Sequence, residues 1–425
     1  MPKTKRLLAV PAIAGIAICF IVAIELLSTQ NYTDRSYIEY LGNPYLDRYP
    51  QGEELYARNI WDLHEYNGVV YIGAGNSSNR GPAMNAGPVP IIVFDPAKEA
   101  FVEEGVVDEE QIDLYRTIGD TLFIPGHDPR NGWKLGNYYS RQQKGDWRKY
   151  RNIPKALHSY DLVSHRGSLF LALGLKDDPV ISMSKDNGLS WENIGAGRSS
   201  RVYSFLIVKN TLYATKKIKR KSYNEDRNYD GVLEFDYSGR LEARRDLYDN
   251  VLFPGVGFVT KSGKKIVKAN VVDEHAIYIG AYIHNDHQYD PFGVFLASSL
   301  EKGNVDVKRV PIPRGARPWD ILVKGEYVYV LYSQESRKRM FFQGARPAGQ
   351  RFENTVIRAA KGTLQEWDEV IKFQYSTFAR SFEILDGDFY FGMGTEVQNS
   401  SDWSVDELSE QSGDILRVAG ERLEG

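Results

Sequence analysis

One phrase returns seven times along this chain of 425 residues, and it leaves few folds open. The phrase is an aromatic residue, an acid and an apolar residue, then a short polar turn, then an apolar-aromatic-apolar run. It reads Trp61-Asp62-Leu63 leading to GVVYIGAG, Ile112-Asp113-Leu114 to DTLFIPG, and Tyr160-Asp161-Leu162 to GSLFLALG. It continues as Tyr203-Ser204-Phe205 to NTLYAT, a degenerate copy ending HAIYIGAY, Trp319-Asp320-Ile321 to EYVYVLY, and Phe382-Glu383-Ile384 to GDFYFGMG. The marker aromatics Tyr71, Phe123, Phe170, Tyr213, Tyr278, Tyr329 and Tyr390 are spaced by 52, 47, 43, 65, 51 and 61 residues.

Two short runs rich in β-branched and aromatic residues around a Gly, Asn or Asp turn make a hairpin. Each copy is followed by a second hairpin, for example PIIVFDPAKEAFVEE, NYYSRQQKGDWRKY and NTVIRAAKGTLQEWDEV. Two hairpins make four strands, and four-stranded units at this spacing are the blades of a β-propeller. Helical solenoids would need apolar residues at i, i+3, i+4 and i+7, a pattern hinted at only near 404–411. The fold class is therefore all-β, a propeller of seven blades with six as the alternative. The seventh copy has one clear strand after it, Asp414 to Val418, so residues 35–41 (RSYIEYL) are expected to supply the missing strand and close the ring. The propeller then spans 35–420, with 421–425 as a tail.

The first 28 residues are of another kind. Leu7 to Leu27 form a run of 21 residues with one charge, Glu25, after a stub carrying Lys3, Lys5 and Arg6. The run is longer than the core of a cleavable signal and near the roughly 20 residues that span a bilayer, so it reads as an uncleaved signal anchor, with a removed signal as the alternative. The positive stub keeps the N-terminus cytoplasmic and places the rest, after a linker at 29–34, on the extracytoplasmic side, in a periplasm or at a cell surface. The single cysteine, Cys19, falls inside this run as an apolar filler. The exported part thus lacks disulfides and depends on ordinary packing.

A formal charge of −3 gives no reason to expect nucleic acid as a partner. Basic runs occur at Lys216 to Lys221, Arg337 to Arg339 and Lys144 to Arg151; they read as solvated faces, or as contacts for acidic glycans or phospholipid headgroups.

Ser184-Lys185-Asp186-Asn187-Gly188-Leu189-Ser190-Trp191 resembles the Asp box, Ser-x-Asp-x-Gly-x-Thr-Trp, of the sialidase-like propeller superfamily, with Ser190 for Thr. The residues suit a tight hairpin: Asp accepts turn N–H groups, Gly takes a positive φ, and Trp packs between blades. The resemblance implies the fold and a family of carbohydrate-active proteins. The superfamily's catalytic set does not carry over, because Arg151-Asn152-Ile153-Pro154 breaks its Arg-Ile-Pro and comes too late.

The repeated acids Asp62, Asp113, Asp161, Asp320 and Glu383 open the same strand in five copies. They are expected either to ring the central channel, for a cation or for acid-base work on a sugar, or to bond the turn amides of their own blades. Histidines cluster early. If equivalent ends of blades 1 to 3 share one mouth, Asp62, His64, His127, Asp128, Arg130, His158 and Asp161 converge there as candidate acid-base groups. His284-Asn-Asp286-His287-Gln-Tyr-Asp290 is dense in possible ligands but matches no metal signature. No cofactor, metal or oligomeric state can be named. Two classes of function remain: a carbohydrate-binding or carbohydrate-processing protein, such as a glycoside hydrolase, and a non-catalytic propeller that holds a protein or glycan.

Overall fold

The computed structural model describes residues 37–77, 85–132, 134–175, 178–197, 201–219, 229–236, 240–257, 263–285, 288–335, 352–395 and 409–420. The expected anchor at 1–28, linker at 29–34 and tail at 421–425 lie outside the described residues, as do the basic runs at 220–221 and 337–339. Among the described residues, no helix is long and apolar enough to cross a membrane.

Seven antiparallel sheets form, one per repeat. Their first strands are Asp62–Tyr66, Arg116–Ile118, His158–His165, Ser204–Val208, Lys264–Val272, Arg317–Lys324 and Ala379–Leu385. These first strands touch one another around the ring, which makes them the lining of the central channel. The second hairpin of every repeat completes its blade. Blade 7 takes its outermost strand from Ile38–Gly42, which pairs with Ile415–Val418 in the register Ile38↔Val418 and Tyr40↔Leu416. The closing strand is therefore the one read from residues 35–41. Glu39 pairs with Arg417, and Asn43 donates to Ser412 O and Asp414 Oδ1, so the clasp also carries polar bonds. The chain is a seven-bladed β-propeller.

The apolar core is divided among the gaps between blades. Phe123, Tyr138 and Ile153 of blade 2 meet Leu162, Leu171 and Trp191 of blade 3, and similar clusters fill the next gaps. Each large side chain buried there contributes about 1.5–3 kcal/mol, so every blade depends on its neighbours. The turn at 184–191 takes the geometry its residues call for. Asp186 accepts from Ser190 N (2.8 Å) and Ser190 Oγ (2.5 Å), Gly188 has a φ of 91°, and Trp191 meets Tyr138 of blade 2 edge-on at 5.8 Å.

Blade 3 departs from the four-strand expectation. Two short strands, Glu109–Gln111 and His127–Pro129, come from the connections around blade 2 and extend blade 3's sheet beyond its inner strand. His127 pairs directly with His158, and Gln111 with His127.

Candidate functional site

The acids of the repeat are structural, in a way neither expectation described. Tyr115 N of blade 2 donates to Asp62 Oδ2 of blade 1 at 2.8 Å; Phe205 N of blade 4 donates to Asp161 Oδ2 of blade 3 at 2.9 Å. Phe382 N of blade 7 donates to Asp320 Oδ2 of blade 6 at 3.1 Å, and Glu65 N of blade 1 to Glu383 Oε2 of blade 7 at 2.9 Å. Each acid thus fastens its blade to the next one, not to its own turn. Nor do the five share one level. Asp62, Asp161 and Asp320 lie opposite Gly73, Ala172 and Leu331, each two residues past the marker aromatic; Glu383 lies opposite the marker Tyr390 itself. Asp113 precedes its strand, accepts from Gln111 Nε2 and lies at ion-pair distance from His127.

The remaining oxygens of Asp62 and Asp161 are also engaged, by Lys268 (3.1 Å) and Arg116 (3.4 Å). Lys268 of blade 5 reaches across the channel to Asp62 of blade 1 and also pairs with Asp320 of blade 6. Burial opposes its charge, but the two carboxylates outweigh that and raise its pKa.

Above this crossbar, the mouth of the channel is a cavity of about 190 Å³. Asp62, His127, Asp128, His158 and Asp161 of the sequence-derived set border it, the two acids of the repeat at its floor. His64 and Arg130 do not join them. His64 Nε2 faces Thr117 Oγ1 at 2.8 Å between blades 1 and 2, and burial lowers its pKa to about 4. Arg130 bonds the carbonyl of Gly87 outside the cavity.

Most of the cavity wall comes from residues outside that set. In blades 3, 5, 6 and 7 the inner strand skips one residue of its ladder near the mouth, and the skipped residues are Tyr160, Val267, Trp319 and Arg380. All four line the cavity, as expected of bulges that re-aim a side chain beside a site. Trp61, Tyr160 and Trp319 are the aromatics that precede the acid in the repeat, and Tyr203 holds the same place before Ser204. One phrase therefore fastens blades with its second residue and lines the mouth with its first. Arg380 lies over Trp61 at 3.8 Å and Trp319 at 5.3 Å; Lys265 lies over Tyr203 at 4.8 Å. Arg201 donates to Tyr160 Oη at 2.5 Å, in space kept open by Gly174, where a Cβ would stand 2.8 Å from the Arg201 side chain.

Between blades 2 and 3 a chain of charge runs through the two histidines. Asp113 Oδ2 is 2.9 Å from His127 Nδ1, Asp128 Oδ2 is 3.9 Å from His127 Nε2, and Asp128 Oδ1 is 2.6 Å from His158 Nδ1. Both Nδ1 atoms are buried at ion-pair distance from a carboxylate, yet neither makes an aligned hydrogen bond. Burial works against a charged His127, but Asp113, Asp128 and Glu109 outweigh it and raise its pKa to about 9. Burial instead lowers that of His158 against the pull of Asp128. Burial also brings Lys265 down to about 8, Asp113 opposing and Arg201 assisting. Asp128 holds a left-handed φ of 62°, a conformation that Asp tolerates better than most side chains.

The side chains of 284–289 lie outside the described residues; Asp290 pairs with Arg317 at 3.1 Å. A larger groove, about 1500 Å³, runs between blades 3 and 4 on the opposite rim. Its charges compensate one another, Arg244 with Glu234 and Asp246, so it converges on no reactive group.

No family model and no curated protein sequence matches the chain. Among solved structures, YCF48 from Cyanidioschyzon merolae is similar over 91% of this chain and 99% of its own, at 10% identity and a TM-score of 0.44. The Neurospora crassa Pan2 WD40 domain is similar over 85% and 94%, at 9% identity and a TM-score of 0.48. A 6-phosphogluconolactonase-type protein from Bacteroides uniformis covers 74% and 85%, at 12% identity and a TM-score of 0.43.

Proposed function

We propose that the channel mouth binds the end of a carbohydrate chain, at a sugar unit carrying an anionic group. The observation that carries this reading is the joint presence, in one cavity, of the repeat aromatics Trp61, Tyr160 and Tyr203 with Lys265, Arg201 and Arg380. Aromatic faces receive sugar rings, and the cations receive a carboxylate or sulfate. A volume of about 190 Å³ is below the roughly 300–1,000 Å³ of drug-sized sites, which suits one unit entering end-on. A concave pocket of this kind favours a small ligand over the rival reading, a flat rim that holds a protein.

Hydrolysis is the further step within this proposal. Its carboxyls would be Asp113 and Asp128, which border the cavity and lie one on each nitrogen of His127. Asp62 and Asp161 are unsuited to it because their oxygens are committed to neighbouring blades. The turn at 184–191 and the blade rhythm support kinship with sialidase-like propellers.

A panel of neutral, uronate-containing, sulfated and sialylated glycans tests the binding. Retention of an acidic subset is expected, with at least tenfold weaker binding in Lys265→Met and the same loss on raising the pH from 7 to 9, since Lys265 sheds its proton near 8. Retention of no glycan, or equal binding by the variant, overturns the reading.

The anchor and the extracytoplasmic location are proposed from Leu7 to Leu27 and the preceding positive residues. The full chain is expected to stay in the membrane fraction through an alkaline carbonate wash, with the propeller open to protease added from outside the cytoplasm. Recovery in the soluble cytoplasmic fraction would remove both proposals.

A further inference from the structure

We propose that His127, Asp128 and His158 form a metal site, and that zinc is the ion it suits. This stands whether or not a sugar enters the pocket. Each residue offers one ligand atom, these atoms lie within 4.8 Å of one another, and the three residues are only 6%, 8% and 6% exposed.

The backbone sets up the convergence. His127 and His158 are direct partners across an antiparallel ladder, with ring centroids 5.5 Å apart. Asp128 follows His127 in a left-handed conformation, its N–H bonded to Leu157 O, and its two oxygens are turned one toward each imidazole.

The donor nitrogens are assigned by what stands behind them. Asp113 lies at Nδ1 of His127, which leaves Nε2 for the ion; a carboxylate behind a ligating histidine is the usual support of such a site. His158 presents Nδ1, which faces Asp128 Oδ1. Two imidazoles and one carboxylate are a ligand set for zinc with a fourth position open, here toward the cavity; magnesium and calcium prefer oxygen alone. Bound to one ion at about 2.0–2.2 Å each in tetrahedral geometry, Asp128 Oδ1 and His158 Nδ1 must stand farther apart than their present 2.6 Å. Asp128 and His158 both border the cavity, so binding requires their side chains to part on that side. Arg201 and Lys265 at the same mouth disfavour a bare hard cation, and they suit a zinc whose fourth ligand is an anion or a hydroxide.

The full chain, stripped with a chelator and dialysed, is titrated with Zn²⁺ against a chromophoric competitor. One equivalent is expected, with affinity at least 100-fold lower in His158→Ala and Asp128→Asn, and about 10–100-fold lower in Asp113→Asn, through the support of His127. His275→Ala, outside the cavity, serves as the unchanged control. Absence of saturable binding by the stripped wild-type chain, or full affinity in both His158→Ala and Asp128→Asn, overturns the proposal. Co²⁺ bound to the wild-type chain supplies a measurement independent of variant folding. Intense visible bands of a four-coordinate ion support the site, and the weak bands of an octahedral ion refute it. Glycan retention by a chain that binds no zinc would leave the sugar reading standing and remove this one.

Discussion

Replacing Lys268 by methionine is expected to lower the stability of the propeller by about 3–5 kcal/mol, the usual cost of removing one partner of a buried ion pair. The ammonium group is held by Asp62 of blade 1 and Asp320 of blade 6, whose side chains are only 4% and 2% exposed. Without it, two carboxylates remain in the channel, each still bonded to a neighbouring blade's amide, with no cation at Asp320 and with mutual repulsion. Burial already lifts the pKa of Asp320, and losing Lys268 lifts it further. The sign of the pH dependence follows. Carboxyls whose folded pKa is raised above the unfolded value destabilise the fold as pH climbs from the unfolded pKa through the folded one. The loss in Lys268→Met should therefore be greatest near pH 8 and shrink toward pH 4. Denaturant titrations at the two pH values measure it, and adding Asp320→Asn to the variant should restore part of the stability. An equal loss at both pH values would show that the lysine matters by packing and not by charge.

Glu109→Gln is expected to act in the opposite direction, stabilising the chain by about 3 kcal/mol at pH 8, from roughly 1.4 kcal/mol per pKa unit. Glu109 is completely buried. Its Oε1 accepts from Asn137 Nδ2 at 2.5 Å and from Tyr139 Oη at 3.3 Å, and its Oε2 has no hydrogen-bond partner among the described residues. Burial raises its pKa from 4.5 to about 7, against the opposing pull of Asn137, Tyr139 and His127. The penalty is complete above pH 7, fades between 7 and 4.5, and is absent below, where folded and unfolded chains are both protonated. Glutamine keeps the acceptor and removes the charge. Denaturation in the presence of a chelator at pH 8 and at pH 4 should show a gap between variant and wild type that closes in acid. A gap of the same size in acid would assign the effect to something other than ionisation.

The blades were legible because each hairpin carries its own code: alternating apolar residues, a turn, and a marker aromatic buried in the gap between blades. Even the closing strand could be read, since a seventh unit with too few strands must borrow one. The register of the repeated acids was not legible. The ladder skips Tyr160, Trp319 and Arg380, and in blade 7 the residue that follows the skip, opposite Gly392, is Ser381, so Glu383 stands two residues beyond the level that Asp62, Asp161 and Asp320 share. The same skips carried the walls of the cavity, and nothing in a single residue's identity announces a bulge. Asp62, His127, Asp128, His158 and Asp161 do border one cavity, but the reason was hidden. The strands Glu109–Gln111 and His127–Pro129 have three residues each, too few for a period of two to register, and they pair with a blade to which neither belongs in sequence. His64 and Arg130 were grouped with the others by proximity in sequence, but His64 lies two residues further down its strand from Asp62, and Arg130 lies beyond the short strand that carries His127.

The lysine crossbar also governs traffic. By joining blade 5 to blades 1 and 6, Lys268 lays a side chain across what a propeller usually offers as an open tunnel. A ligand of the proposed kind, entering over Tyr203 and Trp61, would meet that crossbar and leave by the way it came. A long polymer would be engaged at its terminus and never threaded, and any step that shortened it would have to release the small fragment before the next end could come in.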